Sequence, residues 1–201
     1  MKRARDFRKA AWADLHGKWG RMAAIVLIYV LLMAACALFA VFGVGVIATI
    51  LITGPLLLGI ATAVISVAVH KTVQIEMIFH GFRRFGESFI LWLLITIFTF
   101  LWSLLLVIPG IIKSYSYSMS WFILAENPEM AANAARKMSM ERMRGNKWRL
   151  FCLDMSFLGW WILRILTFGI LSFWIIPYHE TARAEFYRTL IAENTETPDE
   201  K

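Results

Sequence analysis

Charged side chains are scarce in this chain of 201 residues, at 17% against roughly 25% in an ordinary globular domain. Acid is the scarcer sign, with 14 Asp and Glu against 21 Lys and Arg. Cysteine is scarcer still. Cys36 and Cys152 both fall in apolar stretches, with no C-x-x-C pair and no dense framework, so neither structural zinc nor a disulfide scaffold is implied. H-E-x-x-H, the P-loop, G-x-S-x-G and clustered metal ligands are missing too. His16, His70, His80 and His179 are scattered and read as interfacial or packing residues. The reading is therefore of a non-enzyme, with no catalytic residue, no metal and no cofactor.

What the chain has in excess is apolar surface. Hydrophobic residues make up 59% and the mean hydropathy is +0.63, where globular chains hold roughly 45–50% apolar residues. A particle of 23.1 kDa has too little interior to hide that much, so the surplus faces lipid. The formal net charge of +7 and pI near 9.7 would point to nucleic acid in a soluble domain. Here the basic residues sit at the ends of apolar runs, so they report topology and contact with anionic headgroups instead. Nucleic acid is not an expected partner.

A bilayer core about 30 Å thick takes about 20 helical residues to cross. Ala23 to Phe42, Val44 to Val69 and Ser88 to Ile112 are uncharged runs of at least that length. The second is interrupted by Gly54-Pro55, and the third carries Pro109-Gly110 near its end. With no water to satisfy backbone amides, each must be helical. The basic start before the first run imitates a signal peptide, but its leading segment and apolar run are both too long, so it reads as a retained helix. Ile111 to Ala125 is a shorter fourth crossing with Lys113 inside, tolerable because lysine near a helix end snorkels. Leu150 to Tyr178 contains Asp154 and Arg164 and is long for one span and short for two.

A faint echo resolves the last stretch. Trp102 precedes Gly110-Ile111-Ile112 as Trp161 precedes Gly169-Ile170-Leu171, and Gly43 and Gly45 lie between the first two spans. The fold expected is an all-α polytopic membrane helix bundle. About six transmembrane helices form three hairpins, with outer turns near Gly43, Gly110 and Gly169, where glycine takes positive φ without steric cost. The spans run over about 23–42, 44–69, 88–108, 111–126, 148–166 and 170–188, the last bent at Pro177. They form one transmembrane domain over 22–190, between an interfacial helix within 1–21 and a disordered acidic tail over 191–201. Every Lys and Arg except Lys113 and Arg164 then falls on one side, which places both termini in the cytoplasm.

Two cytoplasmic amphipathic helices complete the expectation. In Arg5 to Trp19, Phe7, Ala11 and Leu15 share a face, with Arg5, Arg8, Lys9 and Lys18 as the basic complement, which reads as a membrane-surface anchor, with a partner-binding helix as the alternative. Asn127-Pro128-Glu129 reads as the start of a second helix, about 128–145. Met130, Ala134 and Met138 share one of its faces, Gly145 stops it, and it lies either on the inner leaflet or against the hairpins from below. Its Arg136, Lys137, Arg142 and Arg144 are the candidate contacts to anionic lipid, each worth on the order of 1 kcal/mol near the surface.

Ionisable residues inside spans cost about 2.5–3.5 kcal/mol at a helix centre, so each asks for a reason. Asp154 and Arg164 lie ten positions apart in one helix and cannot pair with each other. Lys113, Asp154 and Arg164, with Tyr117 among the hydroxyls of the fourth span, are the candidate polar site. Snorkelling and interhelical hydrogen bonds account for them equally well.

Gly81-Phe82, Leu101-Trp102-Ser103-Leu104-Leu105, the run Ile108 to Ser118, Ala125-Glu126-Asn127-Pro128, Gly145-Asn146-Lys147-Trp148, the run Asp154 to Trp160, the run Leu166 to Ile170 and Pro177-Tyr178 carry a resemblance. Together they resemble the domain of unknown function 975 family of bacterial integral membrane proteins, over nearly the whole chain and in order. The resemblance implies a multi-pass protein of the bacterial cytoplasmic membrane and brings no established activity. More distantly the chain is similar to membrane domains joined to glycerophosphodiester phosphodiesterases. The leading expectation is an uncharacterised scaffold or accessory protein that meets anionic lipid, a membrane-protein partner or a second copy of itself. The alternative is a small transporter or lipid-translocating protein, whose helices would break at Gly54-Pro55, Pro109-Gly110 and Pro177 around a midplane site.

Overall fold

The computed structural model describes residues 3–40, 43–167 and 169–195. Among these every regular element is helical. Helix α1 spans Ala4–Leu15, with the Arg3 backbone N–H donating to the Asp6 carboxylate at its start (2.8 Å). Phe7, Ala11 and Leu15 are all buried. They are buried against protein, because α1 lies along the last helix, α11 (Ser172–Thr195). Phe7 meets Phe186 edge-on, and Trp12 meets Tyr178 in the same way. The spacing that makes α1 amphipathic thus docks it on the bundle.

Among the described residues, three helices are long and apolar enough to cross a membrane: α2 (Trp19–Leu38), α3 (Val44–Ile65, continuing as a π turn to His70) and α5, from Phe85 to Leu105. Helix α3 is the centre and packs on α2, α5 and α11. It also carries the short α4 (His80–Arg83) and a 3₁₀ turn (Ile75–Phe79) across its face. Two glycines permit that approach: a Cβ on Gly81 would stand 1.8 Å from the Pro55 carbonyl oxygen, and one on Gly59 2.0 Å from that of Ile78. The outward faces are greasy, with Leu31 59%, Ile47 61% and Phe100 67% exposed. An exposed apolar surface that wide marks contact with something other than water.

The helices do not break where prolines were expected to break them. Helix α3 runs on through Gly54-Pro55, and α11 runs on through Pro177. The turn after α5 is at Leu106, which is extended (φ −162°, ψ 140°), rather than near Gly110. Pro109 then lies in the first turn of α6 (Val107–Tyr117), where its missing N–H would have had no helical partner. Gly110 serves packing instead, since a Cβ there would meet the Ser103 hydroxyl of α5 at 2.2 Å. Gly43 and Gly169 do take positive φ, 72° and 85°, a region open to glycine without steric cost. Phe42 and Phe168, beside them, lie outside the described residues.

Two expected spans are each two helices. Residues 111–126 divide between α6 and α7 (Ser120–Glu126), and the Ser118 hydroxyl at the join donates to the Tyr115 carbonyl oxygen (2.8 Å). Local bonds of that kind compete with helix continuation. Residues 148–166 divide into α9 (Lys147–Met155) and α10 (Leu158–Leu166) at Ser156-Phe157, where the Ser156 hydroxyl makes the same bond back to Leu153. Helix α10 buries none of its residues.

The second amphipathic helix also starts later than its sequence implies. Asn127 ends α7, and α8 occupies Ala132–Arg142. Its buried stripe is Ala132, Ala135 and Ser139, while Ala134 is exposed. The start is set by a tertiary bond, from the Ala132 N–H to the Glu87 carboxylate of α5. Residues 191–195, expected within a disordered tail, form the last turn of α11, and Glu193 pairs with Arg149 (2.7 Å). The rest of that tail, 196–201, lies outside the described residues.

Candidate functional site

A cluster of four ionisable side chains forms where α9 meets α11. Asp154, near the end of α9, accepts from His179 Nε2 at 2.9 Å on one oxygen and from Arg183 Nη2 at 3.3 Å on the other. Glu180 Oε1 lies 3.4 Å from His179 Nδ1 and 3.8 Å from Arg183 Nη1. Both ring nitrogens of His179 are therefore met by carboxylates. The ring itself is walled edge-on by Phe157 and Trp161, with centroids 5.0 and 5.7 Å away. His179 and Arg183 stand one turn apart on α11, so one carboxylate can reach both. Glu180 and Arg183 also face a cavity of about 280 Å³ between α2, α3, α7 and α11, lined further by Tyr29, Ser118 and Trp121.

The four residues proposed from sequence as a polar site do not converge. Of them, Asp154 alone joins the cluster. Lys113 places its ammonium 4.6 Å from the Trp102 ring centre, pairing α6 with α5. Arg164 lies over Trp161 of its own helix at 5.1 Å, beside Ile165 and Gly169. Tyr117 is buried, and its ring is faced by Arg136 at 5.6 Å. His179 reads from the sequence as an isolated packing residue, whereas it is central to the cluster; Arg183 counts there only toward the cytoplasmic charge, and Glu180 is not singled out. The signal available was the i, i+4 spacing of His179 and Arg183, with a lone aspartate in the neighbouring apolar run.

The candidate lipid contacts also differ among themselves. Lys137 and Arg144 are exposed. Arg142 donates to the Tyr187 hydroxyl (3.2 Å), which in turn donates to Glu126 (2.7 Å). Arg136 is 8% exposed, stacked 4.4 Å from the Phe98 ring centre and bonded to Asn133. Its place on α8 turns it into the protein, so it is not available to a headgroup.

Long polar side chains tie one end of the bundle together. Arg21 donates to Val73 (3.4 Å), Arg84 to Leu124 and Met130 (both 2.9 Å), and Arg188 to Ala68 (3.0 Å). Lys71 pairs with Asp14, and Arg149 with Glu193. The start of α2, the ends of α3 and α7, and the C-terminal half of α11 are thus joined, with α1 and α8 packed beside them. The far ends of α2 and α5 carry exposed Leu38 (77%) and Leu104 (73%) instead.

No curated protein and no solved structure matches this chain. The family model described as "Protein of unknown function (DUF975)" matches residues 1–113 and 104–194, two stretches that span nearly the whole chain, and the chain belongs to that family.

Proposed function

We propose that this protein is a multi-pass, non-enzymatic component of the bacterial cytoplasmic membrane. It acts as a scaffold or accessory subunit whose basic cytoplasmic end engages anionic lipid or a partner protein. The observation that carries the reading is the asymmetry of the bundle, with arginines and lysines knitted together at one end and bare leucines at the other. Positive residues are held on the cytoplasmic side of membrane proteins. On this reading three hairpins cross the membrane, α2 with α3, α5 with α6 and α7, and α9 and α10 with α11, and both termini are cytoplasmic. The charges of the Asp154 cluster are spent on one another, as expected of a group that fixes helix positions.

The test uses the full chain purified in neutral detergent and native mass spectrometry of retained lipid. More phosphatidylglycerol than phosphatidylcholine should stay bound, and Lys137→Gln with Arg144→Gln should reduce the excess. Equal retention of the two lipids by the unaltered chain would overturn the reading.

The cavity beside Glu180 and Arg183 supports a second reading, a small transporter or lipid-translocating protein. It predicts that Glu180→Gln abolishes uptake of an anionic solute or lipid into proteoliposomes without loss of folding.

A further inference from the structure

A second concave surface lies on the outside of the bundle, where the α1–α2 corner faces α10 and α11. Its walls are Trp12, Trp19, Trp160, Trp174, Leu171 and Tyr178, and they enclose a groove of about 580 Å³, within the usual range for small-molecule sites. The rings brace one another edge-on: Trp12 on Trp19 at 5.1 Å, Trp12 on Tyr178 at 5.6 Å and Trp160 on Tyr178 at 6.3 Å. The groove follows α11 from Tyr178 back to its start and ends at Leu171 just before it, about 10 Å along the axis.

Its mouth has the opposite character. A smaller pocket shares Trp12 and Tyr178 with the groove and is otherwise lined by Arg5, Arg8 and Lys9. Arg8 is aimed there by its bond to the Ser156 carbonyl oxygen (3.2 Å) and by Phe157, whose ring centre is 5.4 Å away. Arg5 and Lys9 are exposed and form no salt bridge among the described residues.

We infer that this groove binds one anionic glycerophospholipid, its phosphate on Arg5, Arg8 and Lys9 and an acyl chain along the tryptophan wall. An amphiphile is the occupant whose polarity changes where the lining changes, from three cations to indole and leucine. Tryptophan favours the headgroup level of a bilayer, the level at which a phosphate would meet these cations. Charge decides the headgroup. Tryptophan boxes also hold quaternary ammonium groups, but three cations at the mouth repel a choline. The inference rests on the reading that the basic end faces an anionic leaflet, and it assigns a specific site there.

The experiment titrates the detergent-solubilised full chain with phosphatidylglycerol or phosphatidylcholine brominated on the acyl chain and follows tryptophan fluorescence. Four of the nine tryptophans line the groove. Saturable quenching by phosphatidylglycerol is expected, weakened about fivefold for each basic side chain removed in Arg5→Gln and Lys9→Gln. Leu171→Trp, which fills the slot and keeps the cations, should abolish the saturable component. Stronger quenching by phosphatidylcholine would overturn the assignment, as would saturable quenching unchanged in Leu171→Trp. If phosphatidylglycerol is preferred but Arg5→Gln and Lys9→Gln leave it unchanged while Lys137→Gln and Arg144→Gln weaken it, the groove assignment falls and the basic-end reading stands. No preference at all would remove both.

Discussion

His179 and Asp154 are 25 positions apart, and their side chains meet at 2.9 Å. Arg183 reaches the other oxygen of the same carboxylate at 3.3 Å, so one acid fixes α9 against two turns of α11. The Asp154 side chain is only 16% exposed, and removing a partner from a largely buried pair strands the charge that is left. Asp154→Asn is expected to destabilise the detergent-solubilised chain by about 1–3 kcal/mol, read as a lowered Tm. Arg183→Gln should do the same, and the double variant should lose less than the sum of the two. Strict additivity would mean that the pair contributes no coupling.

Backbone proximity yields a second expectation. Gly81 and Gly59 face carbonyl oxygens at distances no Cβ can share, whereas Gly86, in the first turn of α5, has open space around it. Gly81→Ala and Gly59→Ala must push α4 or the Ile75–Phe79 turn off α3, and overpacking of that kind costs about 1–3 kcal/mol or more. Gly86→Ala should be neutral or stabilise slightly, because alanine favours helix by about 0.5–1 kcal/mol. Thermal melts of the three variants under one condition check the order. Equal Tm values would contradict the close approach.

The long apolar runs were legible because length and hydropathy alone define α2, α3 and α5. The face of α1 was legible for the same reason, since Phe7, Ala11 and Leu15 recur at helical spacing. Helix breaks were not, because proline position is a poor guide when the ring falls in a first turn, as at Pro109, or within a packed helix, as at Pro55. The breaks fall at Ser118 and Ser156, whose hydroxyl-to-carbonyl bonds hydropathy does not register. The polar cluster was half legible. An aspartate in an apolar run announces itself, but its partners lie on another helix and only the fold brings them near.

Arg136 illustrates the same limit at a residue that charge alone assigns to the surface. Its guanidinium lies over Phe98 at 4.4 Å and bonds Asn133 at 2.9 Å. A desolvated cation–π contact is worth about 2 kcal/mol. Arg136→Gln should lower stability by about 1–2 kcal/mol, and Arg136→Lys should recover only part, since lysine lacks the planar fork. Lys137→Gln on the exposed side should leave Tm unchanged. A Tm loss from Lys137→Gln equal to that from Arg136→Gln would refute the distinction.

Orientation in the bilayer gives the last expectation, and it follows from charge rather than packing. Moving a basic cluster across a membrane is opposed both by desolvation and by the positive-inside bias. Arg144 belongs to the basic end, next to Lys147 and Arg149, whereas Ile170 sits in the α10–α11 turn and is 64% exposed. With Cys36 and Cys152 replaced by alanine, Arg144→Cys should resist a membrane-impermeant maleimide in intact cells and react in inside-out vesicles. Ile170→Cys should do the reverse. Labelling of Arg144→Cys from outside would invert the bundle and set the groove mouth at Arg5 and Lys9 against the outer leaflet. Protection of both sites in intact cells would instead leave α10 and α11 on the inner side, as two helices that enter the bilayer without crossing it.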